Sequence, residues 1–249
     1  MTSSTKSLRL AASTLLLLLI WQGTSLLVGR PLLLPSPLQV FGVFGYIFLR
    51  ADFWPSIGAT LTRFALGFGI ALLAALLLGG LAGKFPMMED LLAPAIQLVR
   101  AVPTVAIVLL VLVWLKSERT PILVAVLMAF PVLYFNVIEG VRAVDGKLLD
   151  MVRLYRVPPL KVLTKLYLPS LAPYLSAGIL SATGIALKMT IAAEVFSQPE
   201  VGIGVRFQMA RMSLDVPALF GWALWVVVLS SLIDGGLKIG FKKIGFGAS

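Results

Sequence analysis

Apolar residues fill six blocks of the chain, near residues 10–29, 57–83, 91–115, 120–141, 170–196 and 217–240. A helix that crosses a bilayer needs about 20 mainly apolar residues. The pattern therefore predicts an all-α integral membrane protein with six transmembrane helices, built as one domain over residues 1–249. The first block follows Lys6 and Arg9, as in a signal peptide, but Trp21, Gln22 and Arg30 make no small-residue cleavage site, so it reads as a retained helix. Between 35 and 55 the apolar run is shorter and broken by prolines, which suits an interfacial helix better than a seventh span. Tyr46, Phe48, Phe53 and Trp54 in that run suit an aromatic belt that anchors the protein at the interface.

Composition strengthens the membrane reading. The 249 residues are 59% hydrophobic and 13% charged, with a mean hydropathy of +0.99. Soluble domains carry about 25% charged residues, so too few are present to cover a water-facing surface. The net charge is +10, with no His and no Cys. That excludes disulfides, thiolate metal sites and histidine acid–base chemistry. Without a basic stripe interleaved with exposed aromatics, the charge points to loops beside anionic lipid and not to nucleic acid.

Lys and Arg also set the orientation. With the N-terminus in the cytoplasm, the inside segments hold twelve: Lys6, Arg9, Lys84, Arg142, Lys147, Arg153, Arg156, Lys161, Lys165, Lys238, Lys242 and Lys243. The outside segments hold six, namely Arg30, Arg50, Lys116, Arg119, Arg206 and Arg211. The bias predicts both termini inside. Gly79-xxx-Gly83 and Gly236-xxx-Gly240 have the spacing that lets membrane helices approach closely.

The apolar pattern breaks most sharply in the inside loop 142–169. Leu148, Leu149, Val152, Leu154 and Tyr155 recur at helical spacing among Asp150, Arg153 and Arg156, which predicts a short amphipathic helix over 146–156. Val157-Pro158-Pro159 ends it, because proline cannot continue a helix and biases the residue before it toward extended backbone. Leu160, Leu163 and Leu166, with Lys161 and Lys165, begin a second helix that reaches the membrane at Leu168-Pro169. A helix-turn-helix with basic flanks and an apolar tip fits a groove on a partner. Contact with lipid headgroups is the alternative.

Ionisable residues inside spans are costly and mark cavities or partners. Arg63 lies near the start of the second block. Arg100 precedes Val102-Pro103, where a proline frees backbone carbonyls. Lys188 and Glu194 stand six residues apart on different faces of one helix. Arg100, Pro103, Lys188 and Glu194 are therefore candidates for facing a cavity, with a structural pairing of Lys188 and Glu194 across two subunits as the alternative. Asn136 and Glu139, near the loop end of the fourth block, are candidates for orienting the loop helices.

Residues 140–178 resemble the EAA loop of permease subunits in ABC-type importers. Asp150 stands at the Glu of that pattern, Met151 and Val152 at its two Ala, and Leu168-Pro169 at its ending, while Arg156 replaces the Gly. "LLPSPLQVF", "RAVPTVAIVLLVLVWL", "PVLYFNVIEGV" and "IAAEVFSQPEVGIGVRFQMARMSLD" are similar to the nitrate/sulfonate/taurine branch. The resemblance implies a non-catalytic transmembrane permease of the bacterial inner membrane for a small, anionic solute. It further implies a homodimer with two ABC ATPase subunits, which bind ATP and Mg, and an external solute-binding protein. Asp150, Arg153, Leu154, Tyr155, Arg156, Val157, Pro158, Leu160 and Pro169 would then couple the permease to its ATPase, and Arg100, Pro103, Lys188 and Glu194 would be the candidates for its translocation path. Consistently, "GGLAGKF" (79–85) fails as a phosphate-binding loop, with Leu78 in place of its first Gly and Phe85 in place of Ser/Thr. An autonomous secondary carrier or channel is the rival reading.

Overall fold

The computed structural model describes the backbone of residues 3–244 and the side chains of 8, 9 and 11–243; Lys6, counted above for orientation, lies outside the described side chains. Every regular element among the described residues is helical. They are α1 (Ser3–Val28), α2 (Pro37–Leu49), α3 (Phe53–Lys84), α4 (Pro86–Ala101), α5 (Thr104–Trp114), α6 (Thr120–Arg142), α7 (Gly146–Leu154), α8 (Pro159–Val162), α9 (Leu168–Ser197), α10 (Ile203–Met212) and α11 (Val216–Ile244). A π-helical turn, Leu163–Tyr167, joins α8 to α9. The helices α1, α3, α6, α9 and α11 are long and apolar enough to cross a membrane.

The expected span at 91–115 is not one helix. It is the pair α4 and α5, bent by 104° at Val102-Pro103. Pro103 has no N–H to give and pushes Val102 into extended backbone (φ −75°, ψ 131°), so the helical ladder stops there. Hydropathy summed along the chain cannot see such a corner. The short run near 35–55 does form a helix of its own. Ser36 caps α2 in a reciprocal box with Gln39, at 3.3 and 3.0 Å, and Pro37 opens the first turn. Its 13 residues reach about 20 Å, short of a hydrocarbon core of about 30 Å. It leans on α11 instead: Phe44 stacks on Trp225, whose Nε1 donates to the Phe44 carbonyl at 3.0 Å. Phe53 is buried against Trp222 and Trp225, whereas Tyr46 and Trp54 stay exposed, so only part of the aromatic belt faces outward.

The centre is the stack α3–α6–α9. Along α3, Gly67, Ala71, Ala75, Gly79 and Gly83 recur at every fourth residue, which puts the smallest side chains in one line along the helix. Added Cβ atoms would lie 2.6 Å from the Ile122 carbonyl at Gly67 and 2.8 Å from Val141 at Gly83. The two backbones thus approach as small-xxx-small helices do. The pair Gly79-xxx-Gly83 belongs to this line, while Gly236 and Gly240 face open space. On the other side of α6, Gly140 receives Leu171 and Gly178 receives Asn136, which brings α9 in equally close.

A polar knot fixes the end of this stack farthest from the loop. Glu194 on α9 is fully buried and accepts from Arg63 Nη1 on α3 at 2.7 Å and from Thr60 Oγ1 at 2.8 and 3.0 Å. The Gly204 N–H donates to Glu194 at 3.0 Å, and the Ile203 N–H donates to Thr60 Oγ1 at 2.9 Å, so the first turn of α10 is tied in. Gly204 is required by space: a Cβ there would fall 2.4 Å from the Glu194 Cβ. Arg63 also donates to the Val201 carbonyl at 2.7 Å and to Glu118 in the α5–α6 connection. Glu118 accepts the Glu200 N–H at 2.8 Å. Nearby, Arg206 joins Asp52 at 2.9 Å and Ser56 at 3.0 Å, and Asp52 holds Arg50 at 2.7 Å.

Partial burial disfavours the charged form of Asp52, but the hydrogen bond from Arg50 and the charge of Arg206 outweigh it and hold the carboxyl below its ordinary value. Glu118 is likewise held low, since the Glu200 N–H and Arg63 overcome its desolvation. Both stabilise the folded state above the ordinary carboxylate range. That contribution is lost as pH falls through the lowered folded values.

Breaking a buried pair by removing one partner costs about 3–5 kcal/mol, because the other charge is left stranded. Glu194→Ala should therefore lower the thermal unfolding midpoint in detergent sharply. Arg63→Met combined with Glu194→Gln should recover a good part of the loss. A single variant as stable as the native chain would contradict the role given to the pair.

Candidate functional site

The loop is built from the residues whose spacing predicted it. Asp145 caps α7 by accepting from the Lys147 N–H at 2.8 Å, and the helix ends at Leu154. Arg156 then takes φ +48°, the left-handed region. Non-glycine residues adopt it seldom, and it is the geometry a Gly at this position would supply without strain. The departure at Arg156 thus keeps the turn and changes only its side chain. Pro158 and Pro159 follow, α8 starts, and the π-turn carries the chain into α9 near Pro169.

The two faces of α7 differ. Leu148, Met151 and Tyr155 share one side, and Leu149, Val152 and Arg153 the other. At the tip, Leu154 is 77% exposed, Tyr155 73% and Leu160 71%. Apolar side chains this open, within a few residues of one another and beside Arg153, Arg156 and Lys161, form a patch of the kind that meets a partner. Asp150 reaches only Arg153, at 3.4 Å, with both side chains largely in solvent.

Around the break between α4 and α5 lies a cavity of about 280 Å³ lined by Arg100, Thr104, Met128, Pro131 and Phe135, among others. Arg100 is exposed, with its guanidinium 5.4 Å from the centre of the Phe135 ring. Pro103 sets the corner from which α5 departs. Lys188 lies exposed on α9 and does not line this cavity.

Glu194 does not belong with these path candidates. It faces inward, and Arg63, Thr60 and Gly204 occupy its oxygens, so neither a passing solute nor Lys188 reaches it. Periodicity within one helix could separate Lys188 from Glu194, but it could not supply a partner 131 residues away.

Asn136 and Glu139 are not brought to the loop helices either. Asn136 Nδ2 donates to the Val132 carbonyl at 2.8 Å, one turn back in its own helix, and Glu139 is exposed. The ion pair that does hold this end of α6 joins Arg142 to Glu89 on α4. Arg142 entered the sequence analysis only as one of the inside cations, and a partner 53 residues away leaves no local signal.

The matches with known proteins agree with this arrangement. The profile of the family described as "Binding-protein-dependent transport system inner membrane component" matches residues 67–243, well over half of the chain. An aliphatic sulfonates transport permease protein of Bacillus subtilis is 29% identical over 90% of this chain and 82% of its own length. A bicarbonate transport system permease protein of Synechococcus elongatus is 32% identical over 87% and 82%. A riboflavin transport system permease protein of Chloroflexus aurantiacus is 30% identical over 86% and 80%. Such relatives favour an ATP-driven permease over an autonomous carrier or channel. With the apolar helices, the loop and the match across 67–243 taken together, the chain belongs to the binding-protein-dependent transport system inner membrane components, and it is a permease subunit of an ABC importer.

Proposed function

We propose that two copies of this chain form the pathway, that two ATPase subunits dock on residues 146–166, and that an external solute-binding protein delivers a small anion to the opposite face. The exposed apolar tip at Leu154, Tyr155 and Leu160 carries the docking reading. Both termini and the loop lie in the cytoplasm, as the Lys/Arg bias asks. ATP and Mg belong to the ATPase partner; this chain positions and moves. Closure of the ATPase pair would push the loop, and the stack α3–α6–α9 would carry that push toward the polar knot at its far end, opening one face while closing the other.

Arg100 supports the anionic substrate. It lines the small cavity at the α4–α5 corner without a carboxylate partner among the described residues, and a cation so placed gains from a passing anion. Lys188 adds a second exposed cation on a helix of the central stack. The sulfonate and bicarbonate permeases among the relatives fit an anion, while the riboflavin permease is named for a larger solute.

Leu154→Asp or Tyr155→Asp should leave the chain in the membrane but cut ATP-dependent uptake about tenfold or more, as loss of an interface anchor does. ATP hydrolysis would then no longer follow transport. Uptake at the native rate in both variants would refute docking at this tip.

Arg100→Met keeps bulk and removes charge, so the complex should assemble and hydrolyse ATP at its basal rate. Uptake of an anionic solute should drop roughly tenfold, equal to about 1.4 kcal/mol. Arg100→Lys should retain most of it. Undiminished anion uptake in the Met variant would remove Arg100 from the path.

A further inference from the structure

A groove of about 850 Å³ separates the loop from the bundle, bounded by the last turns of α3, the end of α6, the inner side of α7 and the start of α9. Leu77, Leu81, Val141, Val152, Leu168 and Leu171 make its walls apolar. Lys84, Arg153 and Arg156 also line it, and no carboxylate does. Among the described residues Lys84 and Arg156 have no ion-pair partner, and Arg153 has only the long, exposed contact to Asp150.

The inner side of α7, with Leu149, Val152 and Arg153, lines this groove, while Leu154, Tyr155 and Leu160 of the tip proposed for ATPase docking do not. The occupant must therefore be apolar over most of its length and negative at one end. A second copy of this chain fits poorly, because its residues 142–169 carry six Lys and Arg against two Asp and would set a net positive loop against the same cations. The groove lies where α3 and α9 reach their loop-side ends, at the level of lipid headgroups if these helices cross the membrane. Basic pockets between membrane helices on the cytoplasmic side hold anionic headgroups.

We propose that the groove binds an anionic phospholipid. One acyl chain lies between α3 and α9, and the phosphate sits against Lys84, Arg153 and Arg156. The lipid then fills the space behind the loop and holds α7 at its distance from α3. This rests on the membrane placement of α3 and α9 and not on the docking reading, so the two fail separately.

Gly80 gives a direct handle. It lines the groove, and a Cβ added there meets nothing within 4 Å, so Gly80→Leu fills the space without displacing backbone. The assembled transporter is purified from nanodiscs holding equal phosphatidylglycerol and phosphatidylcholine, and native mass spectrometry counts the retained lipids. The native complex should retain phosphatidylglycerol several-fold over phosphatidylcholine. Lys84→Gln should reduce that preference about fivefold, and Gly80→Leu should reduce retention of both lipids.

Equal retention of the two lipids by the native complex, or unchanged retention in both variants, overturns the proposal. Because the chain has no cysteine, Gly80→Cys adds a second reading with a short thiol-reactive cross-linker. High-yield linkage to another subunit would assign the groove to protein and overturn the lipid. Absence of such linkage is the expected result.

Discussion

A guanidinium and a carboxylate buried together, Arg63 and Glu194, hold the far end of this molecule. Burying either alone would cost several kcal/mol. Here the cost is met because every strong group finds partners: Arg63 reaches Glu194, the Val201 carbonyl and Glu118, and Glu194 also takes Thr60 and the Gly204 N–H. One pair thereby fixes α3 to α9, the first turn of α10 to both, and the α5–α6 connection to the same point. The small-residue line on α3 lets α6 come close enough for this geometry to exist. Apolar packing alone, between helices whose surroundings are also apolar, would not select one register so strongly.

From that fixed end the stack α3–α6–α9 runs to the loop. The loop is the opposite kind of structure. Helix α7 makes only slight contact with the bundle, and its tip presents leucine and tyrosine to the outside. A well-packed block with an open, loosely held loop suits the docking and transmission proposed above. The bent pair α4–α5 packs against this block, with Arg100 beside a small cavity and Arg142–Glu89 tying α4 to α6 at the loop side.

Much of this was legible from local signals. Five of the six apolar blocks correspond to single long helices, α1, α3, α6, α9 and α11, because a membrane span writes itself as composition. The loop was legible from Leu/Val/Tyr spacing and the paired prolines at 158 and 159. What local signals could not show was geometry between distant residues. Glu194 stood beside Lys188 as a path candidate because both are ionisable residues of one span, whereas its partners lie on α3 and α10. The corner at Val102-Pro103 was visible as a proline but not as a turn of 104°. Arg156 looked like a loss of the turn glycine; its left-handed backbone shows that a strained arginine fills the same place.

The proposed transmission needs the stack α3–α6–α9 to carry the loop's movement to the polar knot without deforming, so that loop and far end of one subunit move together. Cysteines at Gly146, which opens α7 with free space around it, and at Pro199 would carry spin labels in a chain with no cysteine of its own. Doubly labelled subunits diluted with unlabelled ones, assembled with the ATPase partner, report the distance between the two ends of one subunit by pulsed electron resonance. The account predicts that ATP leaves this distance unchanged, while singly labelled pairs show the two subunits shifting against each other. A distance within one subunit that changes with ATP would contradict it.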